Sequence, residues 1–324
     1  MGRSGWLLPA LALAYGCALA VPLAGCWSRG RLLRLAAWCL AAGALACPLL
    51  IPSDLVVFRA ISAFVSTDIA FKMVDFLRHH GRAWDGIVVR EYCRFLIPFP
   101  VLAVVDPDHR RRLARPDPPW PHVLRILGGT AVVAAGVVLM RTLSGTEAVR
   151  SSPALDHLAR LLIFVPTIEA ISRVLYGLER LAGFDTRPIV RNAFLSRTVA
   201  EFWCRYNGRM HDWYDRNVFR PSGGRHAPAR SVVLVFLASG LHHELMFGIA
   251  LSGFTGYQLA FFLLQAPAVL ASGRLERLAR RGGLAGKVAA HVATILFLAA
   301  TSVLFFDGVS KVFPSVLANG SPLP

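Results

Sequence analysis

The chain has 324 residues, 55% hydrophobic and 17% charged, with a mean hydropathy of +0.52. Soluble domains carry about 25% charged residues, so this composition excludes one and indicates a polytopic membrane protein. The formal charge of +16 reads as basic cytosolic loops that set topology, so no nucleic-acid partner is expected.

In chain order, apolar runs predict spans at residues 6–24, 35–52, 55–77, 123–143, 157–180, 231–251, 256–272 and 288–306. The first begins after Arg3 and runs into Leu23-Ala24-Gly25-Cys26, a pattern resembling a lipoprotein signal. Arg29, Arg31 and Arg34 follow at once, which a translocated segment avoids, so a retained helix is expected. The third run is weakened by Arg59, Asp68, Lys72 and Asp75. Residues 95–105 are too short to cross and are broken by Pro98 and Pro100, which predicts a re-entrant or interfacial piece. The six cysteines show no CxxC spacing, so neither a disulfide framework nor a zinc site is expected. Positive clusters fall at 29–34, 78–94, 110–125, 180–230 and 274–287, whereas the links near 53, 144–156 and 252–255 carry few. Placing both termini on the non-cytosolic face puts every cluster in the cytosol. With no repeat and no soluble domain visible, residues 1–324 are expected to form one membrane-embedded domain.

The stretch 181–230 is polar and too long for a simple connection. Within it, Ser196 to Val218 predicts one amphipathic helix. Arg205, Arg209, Asp212, Arg216 and Arg220 form a charged stripe, and Trp203, Asn207, His211, Tyr214 and Val218 another. A membrane-surface helix accounts for the arginines and aromatics but not for Asn207 and His211.

The next span, VVLVFLASGLHHELMFGIAL, contains His242-His243-Glu244 as its only titratable groups. Such groups are costly in hydrocarbon and mark function by default. If the helix starts near Arg230, His243 lies about 20 Å along it at 1.5 Å per residue, mid-membrane in a core roughly 30 Å thick. Ser239, His243 and Met246 share a helical face, while His242 points about 100° away.

Two segments then resemble one family, the membrane-bound O-acyltransferases. Glu201-Phe202-Trp203-Cys204-Arg205-Tyr206-Asn207, with His211 and Trp213 beyond it and Arg216 to Pro221 closing it, resembles the family's aromatic-basic block. Ser239-Gly240-Leu241-His242-His243-Glu244 resembles its histidine motif in the wax-synthase form. The match is good over residues 196–250. Tyr206 stands where many members have tryptophan, and His242 where the position is usually apolar. The resemblance implies an all-α membrane bundle of about eight spans with re-entrant and cytoplasmic amphipathic helices. It implies acyl transfer from acyl-CoA to a hydroxyl acceptor, with wax-type or other lipid-like alcohols first and polysaccharides or specialised metabolites as alternatives. His243 would be the general base and Asn207 the positioning or oxyanion group. Trp203, His211, Trp213, Ser239, His242 and Glu244 would line the substrate chamber, and Arg205, Arg209 and Arg216 would attract coenzyme A phosphates. Acyl-CoA is a co-substrate; no cofactor or metal is expected. Membrane lipids surround the protein, in the inner membrane of a bacterium or the endoplasmic reticulum of a eukaryote.

Other readings explain less. His80 and Asp85 fit an HxxxxD acyltransferase pattern, and His242, His243 and His291 could be imagined around zinc, but neither has supporting residues. A proton-coupled transporter accounts for His243 and leaves the Trp203-to-Trp213 block unexplained.

Overall fold

In the computed structural model the described residues are 3–26, 31–79, 96 and 116–314. The regular elements among them are helical. The long helices are α1 (Leu7–Cys26), α2 (Arg31–Ala46), α3 (Val56–His79), α4 (Pro119–Ser144) and α5 (Pro153–Leu181). After two short helices, α6 (Val199–Tyr206) and α7 (Gly208–Tyr214), come α8 (Pro228–Leu251), α9 (Tyr257–Arg281) and α10 (Gly283–Val312). Each predicted span coincides with a helix. By length and apolarity, α4, α5, α8, α9 and α10 can cross a membrane, while the apolar parts of α1 and α2 are shorter. α3 is long enough but carries the charges that weakened it in the sequence. The expected piece at 95–105 and the His80–Asp85 pair lie outside the described residues, apart from Leu96.

The chain forms two compact units. In the first, residues 1–111 with 245–254, alanines bring helices close: Ala10, Ala14 and Ala18 of α1 and Ala37, Ala41 and Ala44 of α2 are all buried. Against them α3 packs Val65, Ile69 and Met73. Three of its charged side chains meet polar groups inside the unit. Lys72 lies 3.3 Å from Asp68, and Arg59 donates to the Ser252 hydroxyl at 2.6 Å.

In the second unit, residues 112–244 with 255–324, α4 and α5 pack along glycines. A Cβ at Gly177 would come 2.9 Å from Ile126 and 3.1 Å from the His122 carbonyl oxygen. α5 starts where Ser152 caps it and Pro153 occupies its first turn. α6 starts at Thr198, whose side chain accepts the Glu201 N–H at 3.1 Å, while Glu201 reaches back to the Arg197 N–H at 2.8 Å.

The expected single helix over 196–218 is broken, which corrects that reading. Asn207 leaves the helical region (φ −143°, ψ 73°), and its side-chain oxygen accepts the Met210 N–H at 3.2 Å, capping α7. The preceding loop satisfies the backbone groups that the break exposes. Gly208 N–H donates to the Ile189 carbonyl, and Arg191 N–H donates to the Arg205 carbonyl. α7 then widens into a π turn over Asp215–Phe219. The arginine stripe required a continuous helix, so it dissolves.

Candidate active site

His243 is fixed from its own helix. Its Nδ1 lies 2.9 Å from the Ser239 carbonyl oxygen. A carbonyl only accepts, so Nδ1 carries the hydrogen and Nε2 keeps its lone pair. The ring leans on Phe262 of α9, centroids 4.3 Å apart, with Phe305 of α10 at 6.4 Å. His242 turns elsewhere: its Nδ1 lies 3.3 Å from the Tyr214 hydroxyl at the end of α7. The two imidazole centroids are nonetheless only 4.7 Å apart.

An aromatic wall connects α6 to this pair. Trp203 contacts Phe236 of α8 at 5.7 Å and Phe262 at 5.5 Å. Its indole N–H donates to Gln265 of α9 at 3.4 Å. Gln265 is fully buried and donates in turn to Thr301 of α10 at 3.2 Å. α6 is held at its start as well, because His291 donates to the Ser196 carbonyl and Thr294 to the Arg197 carbonyl, both at 2.9 Å. His291 is thereby a structural donor. Among the described residues, no group of three or more His, Cys, Asp or Glu is placed to hold a metal.

Other expected residues sit as follows. Ser239 is buried. Gly240 admits α9, since a Cβ there would meet Leu259 Cα at 3.1 Å. Glu244 is buried, and its carboxylate accepts four backbone N–H groups: Thr255 and Gly256 on one oxygen, Gln258 and Leu259 on the other, at 2.6–3.2 Å. It caps the start of α9, so its oxygens are committed to the fold rather than turned to a substrate. Trp213 is buried against Tyr214 at 5.3 Å, and its carbonyl accepts from Asn217. His211 lies on the outside of α7 with its side chain 49% exposed, beside Asp212 and Cys204.

The arginines divide. Arg205 is partly exposed and pairs with Glu201 at 2.6 Å, and Arg216 is half-buried. Arg209 departs from expectation. It is buried and grips Glu179 with two parallel bonds of 2.7 and 2.5 Å, and it also donates to the Arg187 carbonyl. It is therefore an internal clamp between α7 and the end of α5, not a phosphate contact.

Sequence reasoning passed over Tyr214 as a partner of His242, and over Phe262, Gln265 and Glu179. One signal was present. Gln258 and Gln265 stand seven residues apart in the 256–272 run, on one face of a helix otherwise suited to lipid. Burial also pushes the Tyr214 phenol above its ordinary value, so it stays protonated at neutral pH.

The soybean (Glycine max) protein diacylglycerol O-acyltransferase 1C is 28% identical over 100 residues, 31% of this chain and 19% of its own length. Soybean diacylglycerol O-acyltransferase 1B is 27% identical over 100 residues, 31% of this chain and 20% of its own length. The match thus spans about a fifth of each relative. Residues 154–301, the stretch that carries Asn207, both histidines and the Trp203–Phe262 wall, match the model of the membrane-bound O-acyltransferase family.

Proposed function

We propose that the chain transfers an acyl group from acyl-CoA to a hydroxyl acceptor, with His243 as general base. The observation that carries this reading is the Nδ1–carbonyl bond, which leaves an unprotonated Nε2 on a half-buried ring in an aromatic setting. Nε2 takes the acceptor's hydroxyl proton as the oxygen attacks the thioester carbonyl carbon. An oxyanion forms, the carbon–sulfur bond breaks, and the departing CoA thiolate takes the proton from His243. Trp203 shapes the chamber beside the base. Asn207 positions the α6–α7 break and presents its amide nitrogen as a donor, since its oxygen caps α7.

The acceptor proposed is a lipid-like alcohol. The soybean relatives are named for diacylglycerol, and the Ser239-Gly240-Leu241 lead resembles the wax-synthase form. Arg205, Arg216 and the basic 274–287 region supply charge for the donor's phosphates on the cytosolic side.

The test is turnover by purified protein in nanodiscs. Acyl-CoAs of graded length are offered with a fatty alcohol or diacylglycerol, and free CoA and ester product are measured. His243→Ala should lose about 10²–10⁴ in kcat while still binding an acyl-CoA thioether; full activity in this variant would overturn the base assignment. Asn207→Ser keeps a helix cap and removes the amide. It should be slow yet as stable as wild type; wild-type turnover would reduce Asn207 to a cap.

A further inference from the structure

His242 is the histidine that general-base chemistry leaves without a task. The inference that follows rests on the acyl-transfer reading above. Its ring lies beside that of His243 at 4.7 Å, inclined by 53°, yet the two are held by partners of different kinds. His243 Nδ1 faces a carbonyl oxygen, and so must donate. His242 Nδ1 faces a hydroxyl, Tyr214 Oη at 3.3 Å. The Ser239 hydroxyl also hydrogen-bonds Tyr214. With the Ser239 O–H donating to the Tyr214 oxygen, the Tyr214 O–H donates to His242 Nδ1. The hydrogen of His242 then resides on Nε2.

With donation in that direction the adjacent imidazoles hold opposite tautomers, both through Ser239. Its backbone carbonyl fixes His243 with a free lone pair on Nε2. Its hydroxyl, acting through Tyr214, fixes His242 with a hydrogen on Nε2. Acyl transfer needs both: an acceptor for the hydroxyl proton, and a donor where negative charge develops on the thioester oxygen. We propose that His242 is that donor, its Nε2–H hydrogen-bonding the thioester carbonyl oxygen as it becomes the oxyanion. Protons balance without a relay. His242 keeps its hydrogen throughout, and the proton taken by His243 leaves on the CoA thiolate. Tyr214 is then a positioning residue that holds the His242 tautomer.

The test uses the whole 324-residue chain in nanodiscs and the variants His242→Ala, His242→Asn, His242→Gln and Tyr214→Phe. For each, kcat and KM for acyl-CoA are measured, with binding of a non-hydrolysable acyl-CoA thioether as the check on folding. Gln places an amide N–H near the imidazole Nε2 position, whereas Asn reaches only the Nδ1 position. His242→Ala and His242→Asn should lose about 10²–10³ in kcat with little change in KM. His242→Gln should recover to within about tenfold of wild type, and Tyr214→Phe should fall about tenfold in kcat with binding intact. Wild-type kcat in His242→Ala with thioether binding intact overturns the proposal. So does equal rescue by Asn and Gln, which would mark a packing role. If the alanine variant fails to bind, the Gln–Asn difference decides the question. A His243→Ala variant with full turnover would sink the base reading itself, a result separable from all of these.

Discussion

A guanidinium removed from water is tolerable only when its donors are met, and Arg209 meets that condition at both prongs. Glu179 takes one bond on each carboxylate oxygen, and the Arg187 carbonyl takes another. Removing one partner strands the other charge in the interior. Arg209→Ala should therefore destabilise the protein by about 3–5 kcal/mol, whereas Arg209→Met with Glu179→Leu should recover most of the loss. The thermal unfolding midpoint in detergent reads this directly. The double variant should also keep the wild-type KM for acyl-CoA; a raised KM would restore Arg209 as a phosphate contact. The clamp was hidden in the sequence because Arg205 and Arg209 stand four apart, and four apart on one helix means one face. Asn207-Gly208 between them is a turn and cap signal, and it carried more physical weight than the stripe. His243 was legible for the opposite reason. A lone polar site in an apolar run needs no partner to be noticed, although its Ser239 tether is visible only in three dimensions.

At the scale of elements, the two halves of the His-Glu motif act on different helices. His243 faces α9 and α10, while Glu244 closes the N-terminus of α9. Its two oxygens there accept from four otherwise orphan donors at the positive end of the helix dipole. Glu244→Ala should cost about 2–4 kcal/mol from the unsatisfied N–H groups. Glu244→Gln, which keeps one strong acceptor, should cost less. Hydrogen exchange at amides 255–259 is the measurement: protection there should drop first and most, and unchanged protection would refute the cap. Adjacency of His and Glu is visible in any local reading. What the glutamate holds depends on a chain return 11 to 15 residues later, which helical periodicity does not encode. The same limit applies to α6, whose capping sequence was readable but whose docking on α9 through Trp203 and Gln265 was not.

For the whole molecule, hydropathy located each long helix among the described residues, because hydrocarbon demands about 20 apolar residues for a span. α3 shows where that logic stops. Its charges argue against a span, yet Lys72 and Asp68 pair within the buried face of the first unit, a contact that a one-dimensional pattern does not record. Orientation follows from the loops and is open to direct measurement. The fifty-residue basic stretch before α8 is proposed to face the cytosol, where the arginine bias retains it, and the nearly uncharged link at 252–255 to face the opposite side. Arg225 is exposed and Gly253 has open space where a Cβ would project, so a cysteine fits at either. In a cysteine-free background, Gly253→Cys should react with an impermeant maleimide on intact cells or right-side-out vesicles. Arg225→Cys should react only after permeabilisation. The reverse pattern would invert the orientation and move the donor's approach to the other face; reaction of both before permeabilisation would remove α8 as a span. The expected pattern places the basic stretch, the α6–α7 break and the Tyr214 end of the site on the cytosolic side. On the acyl-transfer proposal, a phosphate-bearing thioester would then approach the two histidines from the aqueous face, and a lipid alcohol would need only to diffuse laterally to reach them.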